Sequence, residues 1–530
     1  MIATSEIAIF PENINNQSHL YSEAGKSSGI AVERIRSVIV LRRSLDARKR
    51  PPVYRLKVAI YCDEDLPRER RFKEELWQVL EENSVTPHSP QVLVIGAGPA
   101  GLFAAITLLK RGIRPIILEQ GKDIHARKRD VALINRGGET SRSNWCFGEG
   151  GAGTFTDGKL YTRSSKRGNI EEVLEILVAH GANPDILFEV HAHLGTDKLP
   201  AIVESMRKTI EHFGGKYFFE TRVCDFITKG NRVCGVVTEK GEKAEGAGVI
   251  LATGHSAEDI YRLFVQKQWL VEAKPFAIGL RVEHPQTLIN QIQYHSEHYS
   301  AMLPPATYSM VEKTSFGQDV FSFCMCPGGM IVPAATKQEE IVVNGMSNSK
   351  RNSKFANAGM ITGISPESIP DYMKKYGTQG LLHFRKDLEK QMFTLGGGNQ
   401  KAPAQRLTDF CSGKLSQSLP DSSYFPGLTA AGLHESLPDC IALPLREALK
   451  NIDRKMRGFH TENAVVVGIE SRTSSPVRLP RDKETLQHVQ CKGLFPCGEG
   501  AGYAGGITSS AMDGIACANA CANAVKQVSK

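Results

Sequence analysis

One stretch constrains this chain more than any other: residues 91–121, QVLVIGAGPAGLFAAITLLKRGIRPIILEQG. Gln91 to Ile95 is a short apolar, β-branched run and reads as a buried strand. Gly96, Gly98 and Gly101 follow in GxGxxG spacing, with Pro99 and Ala100 inside the motif. Leu102 to Lys110 reads as a helix closed by Gly112, and Ile113 to Leu118 as a second strand running into Glu119 and Gln120. Gly96 permits the tight turn, Gly98 lets a pyrophosphate approach the backbone, and Gly101 allows helix and strand to pack closely. The helix N-terminus offers free N–H groups and a partial positive charge. Glu119 lies about twenty residues on, where an acid accepts a ribose hydroxyl and disfavours a 2′-phosphate. The unit predicts a dinucleotide site; a plain glycine turn in an ordinary α/β domain is the competing reading.

A chain of 530 residues has room for more than this unit. Its 41% hydrophobic and 23% charged content is that of a globular protein. No apolar run reaches bilayer length, and no secretory signal is seen at the N-terminus. The twelve cysteines are scattered without a CxxC pair, which suits a reducing cytoplasm and argues against structural zinc; no metal is expected. The net charge is +8, and part of the excess is local: Arg34, Arg36, Arg42, Arg43, Arg48, Lys49, Arg50, Arg68, Arg70, Arg71 and Lys73. A solvated surface is the plainer reading; an RNA-binding patch is the sharper one, and no nucleic-acid motif accompanies it.

Four segments are expected. Residues 1–88 form a small N-terminal α+β domain with strands at Glu6–Phe10, Val38–Leu41 and Val53–Tyr61 and a helix at Phe72–Glu82. Residues 89–270 form the first part of the nucleotide-binding domain. A glycine-dense loop, CFGEGGAGTFTDGKLYT at 146–162, suits backbone wrapping round a flat ligand. Residues 170–215 read as helical with a break near Gly181–Pro184, and strands are expected at Tyr217–Phe219, Val223–Thr228, Arg232–Glu239 and Lys243–Leu251, the last ending in Ala252-Thr253-Gly254. Residues 271–460 read as an inserted substrate or cap domain. Its strands are expected at Pro275–Val282, Thr307–Val311, Val320–Met325 and Ile341–Gly345, its helices within Pro370–Met392 and Ile441–Met456. Residues 461–530 return to the nucleotide fold: a strand end at Leu494–Cys497, a loop holding Gly498, Gly500, Gly502, Gly505 and Gly506, and a small-residue helix from Ile507. The fold class is α/β, a Rossmann-like nucleotide domain with two α+β additions.

GAGPAG at 96–101, Glu119, the glycine loop near 150, ATG at 252–254 and CGEGAGYAGG at 497–506 together resemble FAD-dependent oxidoreductases of the glutathione-reductase-like superfamily. More narrowly, FGEGGAGTFTDGKL, KPFAIGLRVEHPQ, FCMCPGGMIVPA, GGGNQKAPAQR and ESRTSSPVRLPRD resemble the bacterial family of uncharacterised FAD-dependent dehydrogenases, over nearly all of residues 35–530. The resemblance implies non-covalent FAD. It assigns Gly96, Gly98, Pro99, Ala100, Gly101, Glu119 and Gln120 to the ADP half, Val223 to the adenine, and Thr253 and Gly254 to the sheet edge. Gly151, Thr154, Asp157 and Gly158 fall near the ribityl chain or flavin, and Gly498, Glu499, Gly505, Gly506 and Ile507 form the flavin-side loop. No second GxGxxG unit occurs, so hydride is expected from the substrate, from transient NAD(P)H or from a partner protein.

Candidates for chemistry are few. Cys324 and Cys326 could act as nucleophile or redox relay, against the plain reading of buried thiols. Arg472 and Arg478, with Ser474 and Ser475, could clamp an acidic substrate or simply brace a loop. His284 could be an acid or base, against a satisfied structural role. The expected activity is hydride transfer between FAD and a small organic substrate; a tRNA-modifying flavoprotein, a flavin monooxygenase and a non-catalytic flavin scaffold are the alternatives.

Overall fold

In the computed structural model, residues 3–48, 50–62, 70–138, 142–162 and 168–528 are described; Lys49 and Arg68 of the basic run lie outside them. At the centre is a parallel sheet in the order Leu494–Pro496, Gly248–Leu251, Gln91–Ile95, Arg114–Leu118, Lys216–Phe218. Its register pairs Ile95 with Leu118 and with Leu251, and Leu251 with Pro496. The strands therefore end level, and the Gly96 turn, Glu119, Thr253-Gly254 and Gly498-Glu499 all emerge along one edge. In parallel α/β sheets that carboxyl edge is where ligands bind.

The helix Pro99–Lys110 is buried from Ala100 to Leu109, as expected of a segment apolar on every side. It packs against the C-terminal helix Ile507–Val528, whose small residues permit close approach: a Cβ on Gly514 would lie 2.2 Å from the Ala100 carbonyl oxygen. A Cβ on Gly101 would fall 2.0 Å from the Gly96 oxygen, so glycine at 101 is a packing requirement.

A second, mixed sheet carries the order Val311–Lys313, Asp319–Pro333, Phe355–Ile364, Phe276–Pro285, Val465–Glu470, Ala402–Arg406, Leu428–Ala430, and Val343–Ser347 pairs with the far end of the long second strand. Strand alternation sends Ile278, Leu280 and Val282 into a core shared with Leu381, Phe384 and Leu388 of the helix Gly380–Leu395 and with Ile441 and Leu445 of Asp439–Asn451. The opposite face carries Arg281 and Glu283. Val465–Glu470 pairs with Phe276–Pro285, so this strand belongs to the inserted sheet although the expected segment ended at residue 460.

The expected single strand Lys243–Leu251 is two strands in two sheets, Lys243–Glu245 and Gly248–Leu251, because the chain changes sheet at Gly246-Ala247. The strand expected at Thr307–Val311 lies instead at Val311–Lys313. Near the N-terminus, Ala3–Ile9 and Ser37–Asp46 flank Val53–Tyr61, and the helix Gln17–Ser28 contributes Ala24 to their core. Arg43 fastens this unit to the rest, bonding Asp185 at 3.1 Å and also Glu189. Arg48 and Arg55 both pair with Asp46, and Arg70 pairs with Glu75 and Glu175, whereas Arg34, Arg36 and Arg42 are exposed.

Candidate functional site

Along the carboxyl edge of the parallel sheet runs a cleft. Its main body, about 330 Å³, is lined by Gly96, Gly98, Pro99, Ala100, Glu119, Gly151, Asp157, Gly158, Thr253, Gly254, Glu499, Gly505, Gly506 and Ile507. A smaller recess of about 40 Å³ shares Gly96, Glu119 and Thr253 with it and continues to Gln120, Arg222 and Val223. These residues span more than four hundred positions of the sequence, and the level ends of the strands bring them together.

The two glycine turns meet. A Cβ on Gly151 (φ +60°) would sit 2.9 Å from Gly98 Cα, whereas a Cβ on Gly98 would meet only Gly151 Cα, at 3.8 Å. No side chain caps the helix that starts at Pro99, so its first amides face the cleft beside Gly98. The donors, the open surface of Gly98 and the acid at the end of the second strand fit the pyrophosphate and ribose of a dinucleotide. Glu119 is buried and multiply bonded: Oε2 accepts the N–H of Ala97, and Oε1 accepts the N–H groups of Gly121 and Gly148, each at 2.9 Å.

Three of the expected cofactor residues do not line the cleft. Gly101 is buried in the helix–strand contact. Thr154 is buried, and its hydroxyl donates to the Glu149 carbonyl at 3.3 Å. Gly498 turns the chain under Ala100, its N–H donating to Asp513 at 2.6 Å. They shape the turns from behind. Arg127, on the helix Ile124–Asn135, is fully buried. It donates to the carbonyls of Asn144, Trp145, Gly148 and Glu149, so it builds the glycine loop.

The candidates for chemistry divide sharply. His284 is fully buried in the inserted sheet, Nε2 bonding the Phe459 carbonyl at 2.8 Å, and burial lowers its pKa to about 4. It lines neither part of the cleft, which favours the structural role over the acid–base one. Arg478 also stays outside, stacked 5.5 Å from the Tyr503 ring centroid. Arg472 does reach the cleft wall, but its guanidinium bonds Glu389 at 2.8 Å, Glu340 at 3.0 Å, Thr336 at 2.8 Å and Ser256 at 3.3 Å. It ties the helix Gly380–Leu395 to the loops at Ser256, Thr336 and Glu340, so its donors are already spent. Cys324 lines the cleft and Cys326 is buried behind it.

Other groups at this end escaped the sequence reading. Lys159, Tyr161, His255, Phe323 and Asn344 complete the wall near Cys324 and Glu499. His255 directly follows the ATG turn, and its position was the signal; Asn344 carried none. Burial pushes the Glu499 carboxyl up to about 7, partly opposed by Lys274. Burial, reinforced by Arg385 and Arg472, lowers His255 to about 3 and keeps the imidazole neutral, 3.9 Å from Glu499. Of the described residues, Glu258, Glu340 and Glu389 cluster closely, yet Arg472, Arg385 and Lys337 already neutralise them. No helix among the described residues is long and apolar enough to cross a membrane.

Residues 275–473 match a family described as FAD-dependent protein, C-terminal domain-like, residues 89–137 match an FAD binding domain, and residues 1–61 match a domain of unknown function. A protein of Clostridium beijerinckii described as uncharacterized is 37% identical over 502 residues, covering 92% of this chain and 93% of that protein. Among solved structures, a variant of halogenase PltM in complex with FAD aligns over 83% of this chain and 71% of its own, with 11% identity and TM-score 0.41. A geranylgeranyl bacteriochlorophyll reductase-like protein of Thermoplasma acidophilum aligns over 83% and 79%, with 13% identity and TM-score 0.36. The chain has a mixed α/β fold with an FAD-binding domain, and it belongs to the family of FAD-dependent proteins that includes the clostridial protein.

Proposed function

We propose that the protein is an FAD-dependent oxidoreductase that passes hydride between FAD and a small organic substrate. One observation carries the reading: a single cleft joins the ADP-type turn at Gly96–Gly101 to a wall of Lys159, Tyr161, Phe323, Cys324 and Asn344 contributed largely by the inserted sheet. Bound FAD supplies a two-electron hydride acceptor, and the chain supplies orientation and charge. The adenine end falls at Gln120 and Val223 and the flavin end at Glu499, Gly505, Gly506 and Ile507. The N-terminus of Ile507–Val528 then lies where a dipole stabilises anionic reduced flavin. Glu499, neutralised near pH 7, is the group able to hold or release a proton there.

In this reading residues 89–270 and 461–530, without the strand at 465–470, form the FAD domain, 271–460 with that strand form the substrate domain, and 1–88 form an accessory domain. Placement in the glutathione-reductase-like superfamily and use of NAD(P)H or a partner protein as electron donor belong to the same proposal. All twelve cysteines are free, which supports residence in the reducing cytoplasm. The test is an absorbance spectrum of purified protein followed by anaerobic titration with NADH and NADPH. A yellow protein bleached by one nucleotide supports the proposal; colourless material that takes up no added FAD defeats it. Reduction that proceeds only with oxygen uptake and substrate hydroxylation would assign a monooxygenase instead.

A further inference from the structure

The long strand Asp319–Pro333 does not pass the cleft smoothly. Its pairing with Phe355–Ile364 slips between Phe323 and Cys326, so a bulge holds Cys324 and Met325. Cys324 adopts φ +43°, a left-handed backbone unfavourable to a side chain with a Cβ. Two cations hold the bulge in place. Lys159 donates to the Met325 carbonyl, and Arg281 Nη2 donates to the Cys324 carbonyl at 2.6 Å. The same Nη2 lies 3.4 Å from Cys326 Sγ, and Arg281 is anchored by Glu470 at 2.8 Å and Asn357 at 2.8 Å. The bulge presents Cys324 to the cleft and keeps Cys326 fully buried behind it, the Cys326 thiol donating to the Cys324 carbonyl at 3.3 Å.

We propose that Cys324 and Cys326 form a dithiol–disulfide couple that exchanges two electrons with FAD, Cys324 being the reactive thiolate and Cys326 the buried resolving thiol. The inference rests on the FAD reading above. In the oxidising direction the Cys324 thiolate and the Cys326 thiol form one S–S bond; the electron pair and the Cys326 proton pass to FAD, leaving it as the reduced anion. The reverse step returns the Cys324 thiolate and the Cys326 thiol. The surroundings favour the thiolate at Cys324. The neighbouring Cys326 side chain lowers its pKa, burial opposes this, and Lys159 and Arg281 add favourable charge. Asp157, Glu470 and Glu499 face it with the opposite influence. Cys326 moves the other way, well above the ordinary thiol range, because of the adjacent Cys324 side chain and its burial. A cleft-facing attacking thiolate with a buried partner is the arrangement that thiol–disulfide exchange requires.

Two measurements test this. FAD-loaded protein is oxidised with diamide, desalted and titrated anaerobically with dithionite. Wild type should take up about two electron pairs per FAD, and Cys324→Ser and Cys326→Ser about one. Uptake of one pair by wild type that still binds FAD overturns the couple and leaves the FAD reading intact; protein without FAD overturns both. Separately, a brief iodoacetamide pulse with peptide mapping reads thiolate character with or without cofactor, even if a serine variant fails to fold. At about pH 6 Cys324 should be labelled at least roughly tenfold faster than the exposed Cys224. Faster labelling of Cys224 at every pH overturns the assignment of Cys324 as the thiolate.

Discussion

Glu119 Oε1 receives the N–H of Gly148 at 2.9 Å, so the acid that ends the second strand also anchors the glycine loop that closes over it. With the bonds from Ala97 and Gly121, one carboxylate aligns both walls of the cleft. In Glu119→Gln an amide NH₂ replaces one acceptor and confronts a backbone N–H. FAD affinity should fall at least about tenfold, and stability by about 1–3 kcal/mol. Equilibrium dialysis with FAD and chemical denaturation measure the two effects.

Gly98 and Gly101 should respond differently to the same methyl group. A Cβ at 98 meets only Gly151 Cα at 3.8 Å, so apo Gly98→Ala should melt within about 2 °C of wild type. Its flavin content should nevertheless collapse, because the methyl occupies the pyrophosphate approach. A Cβ at 101 would collide with the Gly96 oxygen at 2.0 Å, so Gly101→Ala should lose more than about 2 kcal/mol with or without FAD. Thermal melts beside flavin spectra separate the two.

Arg127 supports the loop through four backbone carbonyls and has no carboxylate hydrogen-bond partner among the described residues. Arg127→Met should orphan those carbonyls and destabilise the protein by about 3 kcal/mol or more. Limited proteolysis should then cut first between residues 142 and 158. Arg127→Lys should restore little, since an ammonium cannot span four acceptors.

His284 gives a pH signature. Burial sets its folded pKa at about 4, below the ordinary histidine value near 6.5, so the unfolded chain binds the proton first. Its contribution is intact above about pH 6.5 and is lost as pH falls towards 4, a loss approaching roughly 3 kcal/mol. Glu470 and Glu499, both raised to about 7 by burial, have the opposite sign and cost stability as pH rises from about 4.5 to 7. The difference between wild type and His284→Gln isolates the histidine: the variant should show the shallower acid loss in urea titrations from pH 7 to 4.

The glycine motif, its strands and its acid could be read in advance because their requirements are local. A tight turn, a bare Cα and an uncapped helix end depend on residues a few positions apart. Phe355–Ile364, central in the inserted sheet, went unread. Its sequence, FANAGMITGI, is rich in alanine and glycine and has weak strand preference, and it is paired on both sides by chain far away. Charged and titratable groups were the least readable. Arg472 resembled a substrate clamp until Glu340 and Glu389 met it from 132 and 83 residues away. His284 resembled an acid or base until Phe459 closed over it.

Taken alone, the order of residues determined that a strand, a glycine turn, a helix and a second strand ending in an acid exist here, since steric rules act within a few bonds. Tertiary folding decided which side chains remain available to react, because a charge or thiol is defined by what surrounds it. Arg472 and His284 are consumed by distant partners, while the bulge pinned by Lys159 and Arg281 turns Cys324 into the cleft.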